Sequence, residues 1–415
     1  MDVTRSLMKL HVAIPALDEL EFLPHTLAAI ARQKTDFPFS VHICVNQPNG
    51  WWNNEDKIEI CKNNQKLLHY LKEFKDFKIN IIDKTSKNNG WCENNYGVGW
   101  ARKILFEEIY KTATDDDVII SLDADTLFNE SYFQSIGENF IQNKIDVLAL
   151  PYYHKLTNDE GANRAILRYE IFMRNYFINM HRIGSPYTFT AIGSAIALKI
   201  KALRKVRNIT PLSSGEDFYL LQKLRKMTSI SNHNSEPVYP TARFSTRVPF
   251  GTGPAMIKGS SGDWESYPIY HYSLFDKIKE TYNIIPELFI KDVGTEFINF
   301  LKTQYKTDDL WGPLRRNFKT LPQFIRAFHE KADGLRILQF LKVKNIELEI
   351  SDEQALIENI DVFYDLYKLP HPAGIPSKFE GDYLSLHHLI TALSLPEISI
   401  IRDSLFEIEM ELRKL

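Results

Sequence analysis

The feature that most constrains this chain is an alternation. Short β-branched apolar runs, Leu10–Ile14, Val41–Val45, Ile79–Ile82 and Val118–Leu122, are separated by segments with helical spacing. Leu23, Leu27 and Ile30 share one face of a helix from about Pro24. The segment running to about Lys75 is helical and polar on one side, and Val98, Ala101, Leu105 and Ile109 follow helical spacing after an early interruption by Gly97 and Gly99. Strand and helix trade places repeatedly over about 120 residues, which calls for an α/β fold: a doubly wound sheet with strands buried between layers of helices.

The pattern continues and then changes. Asp146–Leu150 reads as a further strand, and Arg164–Met180 as a long aromatic-rich helix whose Tyr169, Phe172, Tyr176 and Phe177 face a core. Thr190–Leu198 is a small-residue strand centred on Gly193, where either a ligand or close packing takes the space of the missing side chain. Leu212–Asp217 enters a helix carrying Phe218, Leu221 and Leu224. A basic stretch from Arg243 to Arg247 precedes a glycine-rich loop, Gly251–Pro254, that reads either as a mobile lid ordering on donor binding or as an ordinary glycine loop. Beyond about Tyr272 strand signals fade. Phe324, Phe328, Leu335, Leu338 and Leu341 form an apolar stripe with Gly334 as its break, and Ser351–Gln354 is a capping box. Pro370–Gly374 is a loop, followed by helices over Leu384–Leu393, where His387 and His388 are structural, and over Ser399–Leu412. Two domains follow: residues 1–272 as the α/β part and 273–415 as a C-terminal all-helical appendage.

The composition narrows the partners. A formal net charge of -3 on 415 residues gives no electrostatic case for nucleic acid or an anionic membrane. Cys44, Cys61 and Cys92 lack metal-type spacing and read as reduced thiols. The first residues lack the apolar core of a signal peptide, and there is no run of about 18 apolar residues that would span a membrane. The expectation is a cytoplasmic protein without a transmembrane segment, with contact at the inner membrane face left open.

The chemistry is concentrated after Val118–Leu122. Asp123 and Asp125 follow this run, and in open α/β sheets ligands lie beyond the carboxyl ends of strands. Asp-x-Asp there can hold a hard divalent cation, which in turn can hold a diphosphate. The same residues would equally serve as a polar strand exit, with Asp125 capping a following helix. Glu216–Asp217 at a helix start has the same two readings, capping or catalysis, and the helix dipole at that position favours an ionised carboxylate.

The order of these pieces resembles the family 2 glycosyltransferases of the GT-A fold, a Rossmann-like mixed sheet flanked by helices. The residues that carry the resemblance are Val12–Glu19, Gly99–Lys103, Asp123–Asp125, Gly193–Ser194 and Gly215–Tyr219, and together they cover residues 9–272. It implies that Pro15, Ala16 and Asp18 lie along the nucleotide, that Arg102 lies near it, and that Asp123 contacts the ribose or metal site. It further implies that Asp125 binds a Mg or Mn ion with His271 completing the shell, that Asp217, beside Glu216, is the catalytic base, and that Gly193 and Ser194 lie on the acceptor side. Asn46 stands where the family has Asp at the end of the second strand, and an amide can still pair with a uracil edge. Lys103 replaces the usual Asn after the arginine.

The expected activity is metal-dependent transfer of a sugar from a nucleotide-diphosphate donor, UDP ahead of GDP, to a hydroxyl acceptor with inversion. Arg243 and Arg247 would close over the diphosphate or grip an anionic acceptor. Trp51 and Trp52 follow the Asn46 loop on the donor side, as stacking platforms or as packing. The alternatives are a non-catalytic nucleotide-sugar-binding protein and a nucleotidyltransferase. The Pro15–Glu19 loop, which is not a glycine-rich phosphate loop, argues against the latter. The sequence leaves open a saccharide, lipid-linked or small-molecule acceptor. For the helical tail it leaves open acceptor cover, a homo-oligomer contact and a partner dock.

Overall fold

The computed structural model describes residues 8–92, 95–246, 251–367 and 394–415. Four strands run parallel: β1 (Leu10–Ala16), β2 (Phe39–Asn46), β3 (Ile79–Lys84) and β4 (Val118–Ser121). A two-residue strand, β5 (Thr126–Leu127), follows, then β6 (Val147–Ala149), β7 (Ile196–Lys199) and β8 (Tyr239–Pro240). The six-stranded sheet has the order β3-β2-β1-β4-β7-β6, with β7 antiparallel to both its neighbours. The sheet is therefore mixed rather than wholly parallel. Every residue of β1 and of β4 is buried, as a central strand covered on both faces requires.

The helices are α1 (Leu23–Ala31), α2 (Ile58–Glu73), α3 (Val98–Tyr110), α4 (Tyr132–Gln142), α5 (Glu160–Arg182), α6 (Ile200–Lys205), α7 (Glu216–Met227) and α8 (Thr252–Ser260). The last of these replaces the glycine-rich loop expected at Gly251–Pro254. Gly251 takes a left-handed φ of 117° before the helix, and Pro254 lies in the first turn, where its missing N–H costs nothing. The Thr190–Leu198 strand is also shorter than its sequence reads, beginning only at Ile196.

The chain forms two compact units, and they do not follow a single cut at residue 272. The first comprises the described residues up to Ala162 together with Phe189–Ile257; the second takes Asn163–Thr188 and the described residues of Lys258–Arg413. Most of α5 therefore belongs with the helical part. Its Leu167, Ile171, Phe177 and Ile178 share one buried cluster with residues of the helices Asp352–Tyr367 and Leu395–Arg413.

In the second unit the apolar stripe is two helices, Leu321–Lys331 and Gly334–Leu348, and Asp333 caps the second by accepting from the Arg336 N–H at 3.1 Å. Phe324, Phe328, Ile337, Phe340 and Leu341 are buried there. Ser351 accepts from the Gln354 N–H at 3.2 Å, as the capping box requires. The Pro370–Gly374 loop and the Leu384–Leu393 helix with His387 and His388 lie outside the described residues. Among the described residues, no helix is long and apolar enough to cross a membrane.

Candidate functional site

The parallel strands end at one edge of the first unit. Ala16, Asn46 and Ser121 are the last residues of β1, β2 and β4, and Asp123 and Asp125 follow directly. Neither aspartate caps a helix. Asp125 leads into β5, and the next helix, α4, begins only at Tyr132. Asp217 does not cap one either: the N-cap of α7 is Gly215, with a left-handed φ of 73°, which places Glu216 and Asp217 inside the first turn.

Two early glycines bring the second acidic pair to the first. A side chain on Gly99 would lie 2.3 Å from the Leu212 carbonyl oxygen, and one on Gly97 would lie 3.1 Å from the Ser213 backbone. Without those side chains the start of α3 sits directly on the segment leading into α7, and the Gly99 N–H donates to the Leu212 carbonyl at 3.1 Å. Arg102, on the next turn of α3, donates through Nη1 to Glu216 and through Nη2 to Asp123. Arg102 is 4% exposed, and its Nε is buried without a hydrogen bond. Its guanidinium fills the place of a Gly193 side chain: a Cβ there would lie 2.2 to 2.5 Å from it. Close packing, rather than a ligand, takes the space at Gly193. The next residue, Ser194, is fully buried, and its hydroxyl has no partner among the described residues.

The two residues of the Glu-Asp pair have different environments. Glu216 is 2% exposed and tied to Arg102. Asp217 accepts only the Phe218 N–H, at 2.7 Å, and no salt bridge to it forms among the described residues. Burial, and then the adjacent Glu216 charge, push its carboxyl up to about 7 against the pull of Arg102. The helix dipole, expected to favour the ionised form, is outweighed by desolvation. Burial likewise raises the Glu216 and Asp125 carboxyls, opposed in turn by Arg102 and Arg243.

A second arginine arrives by a route that the sequence hides. β5 pairs antiparallel with β8, Thr126 opposite Pro240. Thr241 then donates to the Asp125 carbonyl at 2.7 Å, and Arg243 follows two residues on. Arg243 Nη2 lies 2.7 Å from Asp125 and 2.7 and 2.8 Å from the two Glu19 oxygens. Nothing in the local sequence marks Glu19 or Thr241 as a site residue. A two-residue ribbon containing a proline gives no periodic signal.

At the ends of β1 and β2, Ala16 and Asn46 hold each other: Asn46 Nδ2 donates to the Ala16 carbonyl at 2.9 Å. Asn46 Oδ1 accepts from Trp91 Nε1 at 3.2 Å, so Trp91 joins this edge from the asparagine-rich loop. Pro15 is buried in β1. Asp18 adopts a left-handed φ of 56°, accepts from Asn63 at 2.9 Å and donates its N–H to Asn64 at 2.9 Å. Trp52 donates to the Thr85 carbonyl at 2.9 Å, which makes it a packing residue, while Trp51 lies edge-on to Tyr96.

His271 belongs to the second unit. It caps the helix Tyr272–Asn283, and its ring nitrogens bond to Ser273 at 2.8 Å and Glu358 at 2.9 Å. Both nitrogens are thus engaged there. Arg247 lies outside the described residues. Among the described residues no three His, Cys, Asp or Glu side chains are grouped to hold a metal. A Mg or Mn ion does not require such a cage, because one or two carboxylates suffice when substrate phosphates and waters complete the shell. Asp123 and Asp125 are hard oxygen donors of that kind. Around them five carboxylates (Glu19, Asp123, Asp125, Glu216, Asp217) face two guanidiniums, a surplus of anionic charge that suits a divalent cation.

Among solved structures, the chain is similar to S. aureus TarS 1-349 in complex with UDP-GlcNAc, at 12% identity and a TM-score of 0.41, covering 98% of this chain and 91% of that one. It is also similar to the mannosyltransferase PcManGT from Pyrobaculum calidifontis in complex with GDP-Man and Mn2+, at 12% identity and a TM-score of 0.35, covering 86% and 87%. No protein-family model and no curated protein matches the chain. Likeness at this level assigns no role to any residue here.

Proposed function

We propose that this chain is a glycosyltransferase that moves a sugar from a nucleotide-diphosphate donor, UDP-linked ahead of GDP-linked, to a hydroxyl acceptor, with inversion at the anomeric carbon. The observation that carries this reading is the division of labour in the Glu-Asp pair. Glu216 is consumed by Arg102, while Asp217, with no ion pair among the described residues and a carboxyl pushed up to about 7, is poised to take a proton at neutral pH. Asp217 is the base that accepts the acceptor hydroxyl's proton. Arg102 is a positioning residue: it ties Asp123 to Glu216 and so fixes the acidic motifs relative to each other. Pro15, Ala16, Asp18 and Asn46 form the wall beside the nucleotide, and Asn46 is held in one orientation by Ala16 and Trp91. Gly193 acts behind Arg102, as its seat. Asp123 and Asp125 would hold a Mg or Mn ion, which supplies Lewis-acid neutralisation of the leaving diphosphate when bound.

The test is a thermal-shift panel of UDP, GDP, CDP and dTDP with Mn²⁺, Mg²⁺ or EDTA, on the wild type and on Asp125→Ala. A ligand that binds only the folded chain raises its stability with occupancy. One nucleotide is expected to raise the melting temperature with metal, and to lose that rise both in EDTA and in Asp125→Ala. If no nucleotide shifts the wild type, the donor assignment fails. If a nucleotide binds but the donor never turns over, the non-catalytic reading replaces it.

A further inference from the structure

Arg243 is built into the acidic cluster. The β5–β8 ribbon delivers it, and its guanidinium lies 4.0 Å from the centre of the Phe22 ring. It is 19% exposed; Asp125 and Glu19 are 14% and 5% exposed. A single nitrogen, Nη2, serves three carboxylate oxygens on two segments, while Nε is buried without a hydrogen bond among the described residues. A guanidinium fork has five donors, so most of its capacity is left for a further oxyanion.

We propose that Arg243 is the resident counter-ion of Asp125 and couples donor binding to cation binding. Guanidinium and divalent cation compete for the Asp125 carboxylate, and an anionic diphosphate relieves the competition by drawing the guanidinium to itself. The donor half of this proposal rests on the glycosyltransferase reading; the competition at Asp125 does not. The cation alone then binds weakly, and a nucleoside diphosphate strengthens it. By reciprocity the cation strengthens the nucleotide by the same factor. The guanidinium over Phe22 makes this specific to arginine, because an ammonium holding the same three oxygens has no second nitrogen to turn toward a diphosphate.

The experiment is a titration of the full chain with Mn²⁺ alone, following free Mn²⁺ by electron paramagnetic resonance, in the wild type, R243Q, R243K and D125N. R243Q is expected to bind Mn²⁺ about tenfold more tightly than the wild type, within the range of measured couplings. R243K should fall between them, and D125N should bind more weakly than either. Circular dichroism confirms that each variant is folded, and R243K serves if R243Q is not. If R243Q and R243K bind Mn²⁺ no more tightly than the wild type while D125N still loses it, the competition is overturned and the Asp-x-Asp site stands. Mn²⁺ binding that D125N leaves unchanged, or an absence of binding in all four proteins, overturns the competition together with the cation assignment. Neither result bears on whether nucleotides bind, which the thermal-shift panel decides separately.

Discussion

Each unit buries a cluster of charges, and the two clusters are balanced differently. In the second unit Arg174 is paired with Glu170 and Glu409, Arg402 with Glu170 and Asp403, and Arg413 with Glu409. Three guanidiniums meet three carboxylates, and all of these side chains except that of Asp403 are at most 1% exposed. In the first unit, among the described residues, five carboxylates share two guanidiniums, and three of those carboxyls are raised by burial. A balanced buried network organises a core and leaves nothing for a ligand to neutralise. An unbalanced one costs stability, and a fold retains it where an incoming cation or proton completes it. On the proposed function the contrast separates structure from chemistry, even though both clusters are built from the same residue types.

The largest expected effect breaks the unbalanced cluster at its base. Asp217→Asn should lower transfer by about a thousandfold while donor binding persists, the usual scale for loss of a general base. In the wild type the rate should rise with pH to a plateau above about 7, because the base works only when ionised. Stability should move the other way. The folded Asp217 carboxyl is raised from its ordinary 3.8 to about 7, so over that interval the folded state holds more protons than the unfolded state. Folding is therefore weakened as pH rises from about 4 to about 7. Asp217→Asn removes that penalty and should be more stable than the wild type at pH 8 by about 1 kcal/mol, after allowance for solvent screening. Chemical denaturation at pH 5 and pH 8 measures it, and equal stability at both would remove the evidence for strain at this residue.

The complementary break is in the balanced cluster. Arg174→Met leaves Glu170 and Glu409 buried with fewer partners, and removal of one partner from a buried pair costs about 3–5 kcal/mol. Loss of hydrogen-exchange protection along Glu160–Arg182 reports it. The pH limb of the transfer rate should stay where it is. If Arg174→Met moved that limb, the division between a structural and a chemical cluster would fail.

Much of this fold was legible in the sequence, for identifiable reasons. Strands buried on both faces leave continuous apolar runs, so β1, β2 and β4, and the Asp123–Asp125 pair beyond β4, could be read directly. What could not be read depends on partners remote in sequence. β8 is two residues long, so nothing local places Arg243 on Asp125 or draws in Glu19. The first turn of α8 is written in glycine and proline and reads as a loop. α5 is amphipathic whichever unit buries it, so its membership of the second unit has no local signature. At Asp217 the helix dipole is a local property that the sequence shows, whereas the burial that outweighs it is tertiary and is not written locally.

The smallest expected effect tests whether Arg102 is a positioning residue. Gly193 could be read either as room for a ligand or as room for packing, and the guanidinium of Arg102 occupies it. In Gly193→Ala the new methyl meets Arg102 nitrogens at 2.2 and 2.3 Å, closer than real contacts allow. Backbone would resist such a clash, but here the neighbour is the far end of a long side chain, so the cost is a shift rather than unfolding. That end is pinned at Asp123 and Glu216, however, and a shift at one carboxylate loosens the other. Stability should fall by about 1–2 kcal/mol, the scale of modest overpacking. The rate constant for transfer should fall about tenfold, with little change in the nucleotide's dissociation constant, because the base and the Asp-x-Asp pair lose their mutual alignment before they lose the ligand. Steady-state kinetics beside nucleotide titration separates the two quantities. A variant that binds nucleotide tenfold more weakly at an unchanged rate constant would make Arg102 a ligand contact and return Gly193 to the ligand side of the site.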